Sequence, residues 1–189
     1  MRFNFYLILI FAAILLPACQ NDLKNNLLAD KNKNYFDLPA FFNQEIERLS
    51  EKRTLYAFHK EVNYNAKKDK SKVIISDWKR ELSLFSRVDL NRKEFLGKYS
   101  QQDFQDKSTG KLIQTRYTAN DSSLTTKAVD VFYRNEQPQS IAIINNLHNG
   151  LFSQQQYLFY QKNELMEIFQ LQKTHFWAEN SYKIQLFLK

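Results

Sequence analysis

The chain has 189 residues, with 27 Lys and Arg against 20 Asp and Glu, a formal charge of +7 and one cysteine. A single cysteine excludes an internal disulfide, and three glycines leave no Gly-rich loop to cradle a phosphate. The cations are scattered except for Lys67-Lys68-Asp69-Lys70-Ser71-Lys72, so the charge does not form the basic stripe of a nucleic-acid-binding protein.

In chain order, Arg2 precedes twelve apolar residues, Phe5 to Leu16. That run has the length of a secretory h-region and is too short to cross a bilayer as a helix. It closes on Leu16-Pro17-Ala18-Cys19, which resembles the lipobox of bacterial lipoproteins. The resemblance implies removal of residues 1 to 18, lipidation of Cys19 and anchoring of the mature chain to a membrane. Two or three acyl chains on one cysteine suffice for a stable anchor, where a single chain binds reversibly. Gln20, where inner-membrane lipoproteins commonly carry aspartate, implies the outer membrane. With one acid in Gln20-Asn21-Asp22-Leu23-Lys24, the domain is expected to face the periplasm. Arg2 is the sole charge lost on cleavage, which leaves a modest lean towards anionic head groups.

Residues 19 to 34 are mostly polar and without period, the pattern of a flexible tether. From Tyr35 to Lys189 the length suits one domain. A helix of about fifteen residues is predicted to begin at Asp37, a good N-cap, with Pro39 in the first turn. Phe36 and Phe41 stand at hydrophobic-staple spacing. Phe42, Ile46 and Leu49 form the apolar stripe, with Glu45, Glu47, Arg48 and Lys52 turned to water.

Leu55 to Tyr64 and Ser71 to Ile75 read as a hairpin with the lysine cluster at its tip. Ser76 is placed to cap a second helix, in which Trp78, Leu82 and Phe85 recur along one face. Asp89 opens a short turn that closes at Gly97, a natural C′ residue. Period-two runs then follow at 98–106, 111–119, 126–134, 139–147, 151–161, 164–173 and 181–188. Asn149-Gly150 is the strongest turn signal, on the expectation of a type I′ turn with positive φ at both positions.

Such short connections force antiparallel neighbours. The expected fold class is α+β: N-terminal amphipathic helices on an antiparallel up-and-down β-meander of about seven to nine strands. Spacing alone leaves open whether that sheet curves into a half-barrel.

Three passages carry a further likeness. They are Tyr35-Phe36-Asp37-Leu38 with Phe41-Phe42 and Glu45-Ile46, then Asp77-Trp78-Lys79-Arg80-Glu81-Leu82 with Phe85 and Asp89-Leu90-Asn91, and Arg116-Tyr117-Thr118 with Ser123-Leu124. Together with Tyr157-Leu158-Phe159-Tyr160 they resemble an uncharacterised envelope lipoprotein family of Bacteroidota. The resemblance implies localisation and fold, and no reaction.

A search for chemistry gives little. His59, His148 and His175 lie in different elements without metal-ligand spacing, and no nucleophile elbow is present. Asp77 and Glu81 sit one turn apart, but among Lys79, Arg80 and Arg87 they read as a solvated face. No enzyme activity and no cofactor are expected. The aromatic content is what could carry function, since Tyr157, Phe159 and Tyr160 place rings on both faces of one strand. The leading expectation is a non-catalytic envelope protein that binds another protein or envelope component. The alternative is a carrier of a lipid or acyl chain in a concave sheet lined by Phe132, Tyr157, Phe159, Phe169 and Ile184.

Overall fold

The computed structural model describes residues 35–52, 54–62, 67–174 and 179–188. The signal segment, Cys19, the tether, His175, Phe176 and Trp177 lie outside the described residues.

Helix α1 (Leu38–Ser50) starts where its cap predicts, with Asp37 Oδ1 accepting from Ala40 N at 2.8 Å. The staple is in place, with the Phe36 and Phe41 rings 5.9 Å apart. The second predicted helix is two single turns, α2 (Trp78–Glu81) and α3 (Ser83–Ser86), interrupted at Leu82. Its cap is Asp77, whose Oδ1 accepts from Arg80 N at 2.9 Å, and not Ser76. A carboxylate one residue closer to the helix makes the stronger acceptor for that amide. A 3-10 turn at Lys93–Phe95 leads to Gly97, whose φ of 75° supports the expected left-handed close.

The strands are β1 (Leu55–Val62), β2 (Lys67–Ile74), β3 (Tyr99–Gln105), β4 (Leu112–Ala119), β5 (Thr126–Arg134), β6 (Gln137–His148), β7 (Phe152–Gln161), β8 (Leu165–Thr174) and β9 (Asn180–Phe187). They form one antiparallel sheet in the order β2-β1-β9-β8-β7-β6-β5-β4-β3, with β2 and β3 as open edges. From β3 to β9 it is a meander of adjacent hairpins. The first hairpin then docks on the last strand, as Phe58 opposite Leu186 and Lys60 opposite Ile184.

Two turn readings are corrected. The lysine cluster belongs to β2 and not to a hairpin tip, and all of Lys67 to Lys72 are exposed there. Charged side chains along an edge strand keep other edges from pairing with it. At Asn149-Gly150 the hairpin forms without positive φ at Gly150. Instead Asn149 Oδ1 accepts from Leu151 N (2.9 Å) and Phe152 N (3.0 Å), an Asx-type turn. The doubly left-handed turn occurs at Asn135 (φ 52°) and Glu136 (φ 64°), between β5 and β6.

Alternation assigns the faces. Tyr117, Val129, Ile143, Leu158 and Ile168 stand directly opposite one another across five strands, as do Val131, Ile141, Tyr160, Met166 and Leu186. These ten are buried on the face that receives the helices. Phe42 and Phe85, both fully buried, meet Tyr160 at 5.5 and 6.3 Å between ring centroids. Each such ring contributes about 1.5–3 kcal/mol through burial.

Helix α1 crosses this face diagonally. At its start, the Tyr35 ring lies 5.8 Å from Tyr99 and 5.6 Å from Tyr117, at the ends of β3 and β4. At its finish, Arg48 Nη1 donates to Asn163 Oδ1 at 2.7 Å, in the β7–β8 turn.

Candidate functional site

Two regions outside the helix-covered core combine aromatic rings with placed polar groups. The first is the sheet face turned away from the helices. Tyr157 and Phe159, two residues apart on β7, stack with centroids 6.4 Å apart and ring planes 5° from parallel. Phe169 stands directly opposite Tyr157 on β8, and Ile144 opposite it on β6. Phe132 lies on the same face farther across, opposite Ser140.

Ion pairs border this aromatic group on both sides. Arg116 grips Asp130 with both ends of its fork, Nε to Oδ1 at 2.6 Å and Nη2 to Oδ2 at 2.9 Å. That bonding holds the guanidinium pKa above its ordinary value. On the other side Lys183 Nζ stands 3.2 Å from Glu167 Oε2, which also accepts from Gln185 Nε2 at 2.6 Å. An open groove of about 320 Å³ runs between the aromatics and this pair, lined in part by Tyr157, Phe169, Glu167, Lys183, Ser181 and Glu61. Burial, followed by the charge of Glu167, raises the Tyr157 phenol above its ordinary value, so it stays a neutral donor at neutral pH.

The second region is the part of the other face that α1 leaves open. Five side chains form a ladder across β5 to β9. Thr126 Oγ1 donates to Asn145 Oδ1 (2.9 Å) and Asn145 Nδ2 to Gln156 Oε1 (3.0 Å). Gln156 Nε2 (3.1 Å) and Tyr182 Oη (2.8 Å) then both donate to Gln170 Oε1. Each pair stands at directly opposed register positions. The ladder marks where the apolar core ends, because a buried amide such as Gln156 needs a partner on each side. Beyond it lies a second open groove of about 400 Å³, lined in part by Val62, Lys60, Gln172, Asn180, Tyr182 and Ile184.

The five residues proposed to line one cavity therefore divide. Phe132, Tyr157, Phe159 and Phe169 share the face away from the helices, whereas Ile184 opposes Ile168 on the helix-bearing side. They bound no common enclosed space. Ile184 falls in the opposite phase from Phe169 once β8 and β9 are aligned, so no curvature brings the two together.

The sequence reading missed a buried charge. Glu45, expected in water, is 2% exposed between α1 and β7. Its carboxylate accepts from Tyr160 Oη at 2.5 Å and from Arg48, and Lys162 Nζ lies 3.0 Å from Oε1. Burial alone pushes such an acid up, but these donors outweigh it and hold Glu45 below its ordinary value. The Tyr160 phenol is driven the other way, by burial and by the neighbouring carboxylate. The cluster fastens helix to sheet, and its groups are engaged with one another rather than aimed at a cleft. No signal in the local sequence points to it, because Tyr160 is 115 positions away.

Among the described residues no group of three or more His, Cys, Asp or Glu is placed to hold a metal ion. His148 is exposed at the end of β6, and the His59 ring rests 4.8 Å from Phe187. Asp77 and Glu81 occupy the outer side of α2, where Glu81 pairs with Arg80 at 2.9 Å. No helix among the described residues is long and apolar enough to cross a membrane. No family model, curated protein or solved structure matches the chain.

Proposed function

We propose that this chain is a non-catalytic envelope lipoprotein, anchored by an acylated Cys19 to the outer membrane and facing the periplasm, whose domain binds another envelope protein. Its likeness to the uncharacterised Bacteroidota lipoprotein family accords with that address. The observation that carries the binding role is the sheet face away from the helices. One face already holds a filled core, yet Tyr157, Phe159, Phe169, Phe132 and Ile144 form an apolar surface on the other, with Ile144 and Tyr157 each 37% exposed.

A protein partner fits this surface best. Aromatic residues at the centre, with arginine and other charged groups already paired around them, are the composition of protein interfaces. Satisfied pairs such as Arg116–Asp130 can be covered without stranding a charge.

The test is a photoreactive phenylalanine analogue at position 157, introduced in the native host, with Asn43 on the exposed side of α1 as control position. A reproducible protein adduct from 157 and none from 43 is expected, with loss of that adduct in Phe159→Ser/Phe169→Ser. Recovery of uncross-linked monomer alone from 157 would overturn the reading.

The groove of about 320 Å³ supports a second reading, in which the same face holds a lipid or acyl chain against Tyr157 and Phe169. Native mass spectrometry of protein extracted from its own membranes separates the two. A bound lipid mass beyond that of the acylated chain, lost on Phe169→Ser, favours the second reading, and the mass of the acylated chain alone excludes it.

A further inference from the structure

The strand register places two separate features at one end of the sheet. The first is where the chain enters the domain. Tyr35 Oη donates to Tyr99 O (3.1 Å) and accepts from Tyr99 N (3.2 Å), and Tyr99 opens β3 opposite Ala119, which closes β4. The second is the β6–β7 hairpin tip. There Leu151 is 69% exposed and Leu147 40%, with Phe152 half-buried beside them. Because neighbours alternate in direction, the end of β4, the start of β5, the end of β6 and the start of β7 all lie at this one end.

We propose that this hairpin tip seats in the interfacial layer of the bilayer to which Cys19 is anchored, so that the domain stands on the membrane by its β6–β7 end. The proposal rests on the lipidated-anchor reading above. Sixteen positions separate Cys19 from Tyr35. Fully extended, that segment spans at most about 55 Å, and as a flexible coil about 20–25 Å, so the membrane stays close to the end that Tyr35 enters. Large apolar side chains left in water at that same end gain by entering the head-group and acyl boundary.

The charges nearby suit such a surface. Lys67 and Lys68 begin β2, Lys98 precedes β3 and Lys173 stands next to last in β8, all exposed and at this end. Their stems lie along apolar surface while the ammonium groups reach phosphates. Lys127 is at this end as well, as are the acids Glu61, Asp69, Asp121 and Glu179, so the end is only mildly basic. The apolar contact sets the pose and the lysines bias it towards anionic lipid. A second copy of the chain is the poorer occupant, since it would bring the same lysines together.

The test uses the processed full-length protein reconstituted in vesicles of phosphatidylcholine and phosphatidylglycerol in equal parts, with brominated acyl chains. Leu151→Cys and Lys107→Cys, the latter in the β3–β4 turn at the opposite end, are labelled with a thiol-reactive fluorophore. The wild-type chain labels only if its Cys19 thiol is free and so reports separately on the anchor. Several-fold stronger quenching at 151 than at 107 is expected, and weaker quenching when phosphatidylglycerol is left out. An unquenched label at 151 on protein that floats with the vesicles overturns the docking and leaves the anchor standing. A wild-type chain that takes up label and does not float overturns the anchor, and the docking, which rests on it, falls as well. A signal at 151 that changes with protein concentration in the absence of vesicles assigns the tip to a second copy and overturns the proposal.

Discussion

Tyr160 Oη donates a 2.5 Å hydrogen bond to Glu45 Oε2, and that bond joins the middle of helix α1 to the core of the sheet. Glu45→Gln keeps the volume but cancels the charge that Arg48 and Lys162 face. Both cations are partly exposed and can turn to water, so the cost is smaller than for a fully buried pair, about 1–3 kcal/mol. Tyr160→Phe removes one of several donors and is expected to cost about 1 kcal/mol. Urea unfolding of both variants and of the double variant, read as a mutant cycle, gives the coupling directly. Additive losses would show that the two groups do not act together.

The same carboxylate sets an acid limit. Its folded pKa lies below the ordinary value of 4.5, so its contribution is complete above that pH and is lost as the pH falls through the lower, folded value. The stability gap between the wild-type chain and Glu45→Gln is expected to be constant at neutral pH and to narrow below about 4.5. A gap that stays fixed to the lowest pH at which the chain folds would contradict this assignment.

Tyr56 and Trp78 meet edge to face at 5.3 Å, and the Tyr56 hydroxyl and Trp78 indole N–H are buried with no hydrogen-bond partner among the described residues. An unpaired buried hydroxyl costs about 1–3 kcal/mol. Tyr56→Phe removes it and keeps the ring, so this variant is expected to be as stable as the parent or about 1 kcal/mol more so. Denaturant midpoints at equal slope decide the matter, and a clear loss would mean that the hydroxyl is in fact satisfied.

At the β5–β6 turn, Glu136 holds a φ of 64°, a left-handed conformation that costs a residue with a Cβ about 1–2 kcal/mol. Glu136→Gly relieves that strain and gives back part of the gain as unfolded-state entropy. A net stabilisation of about 0.5–1 kcal/mol is expected, visible as a raised thermal midpoint.

Much of the domain was legible because its signals are local. Period-two runs and their turn residues gave the seven strands from β3 to β9 to within two residues, and Asp37 with Phe36 and Phe41 gave the start of α1. What escaped was non-local. The docking of β1 on β9 joins Phe58 to Leu186, and nothing in either segment names the other. Glu45 reads as a solvated helix residue until Tyr160 and Lys162 are placed beside it.

The site residues show the same division. Aromatics on both faces of β7 were visible in the sequence, but the separation of Ile184 from Phe169 required the register between β8 and β9. The ladder from Thr126 to Tyr182 was hidden for a related reason: Asn, Gln and Thr in strands look like solvent-facing positions. Only alignment of five strands shows them as one row.

That the opening hairpin pairs with the closing strand has a consequence for biogenesis. A polypeptide made from its N-terminus must hold β1 and β2 in waiting until β9 has emerged, more than a hundred residues later. The sheet cannot be finished piecemeal, because the β2–β1 flank joins it only through β9. A nonsense codon shortly before Ser181 would strip away one strand and leave the first hairpin with nowhere to dock.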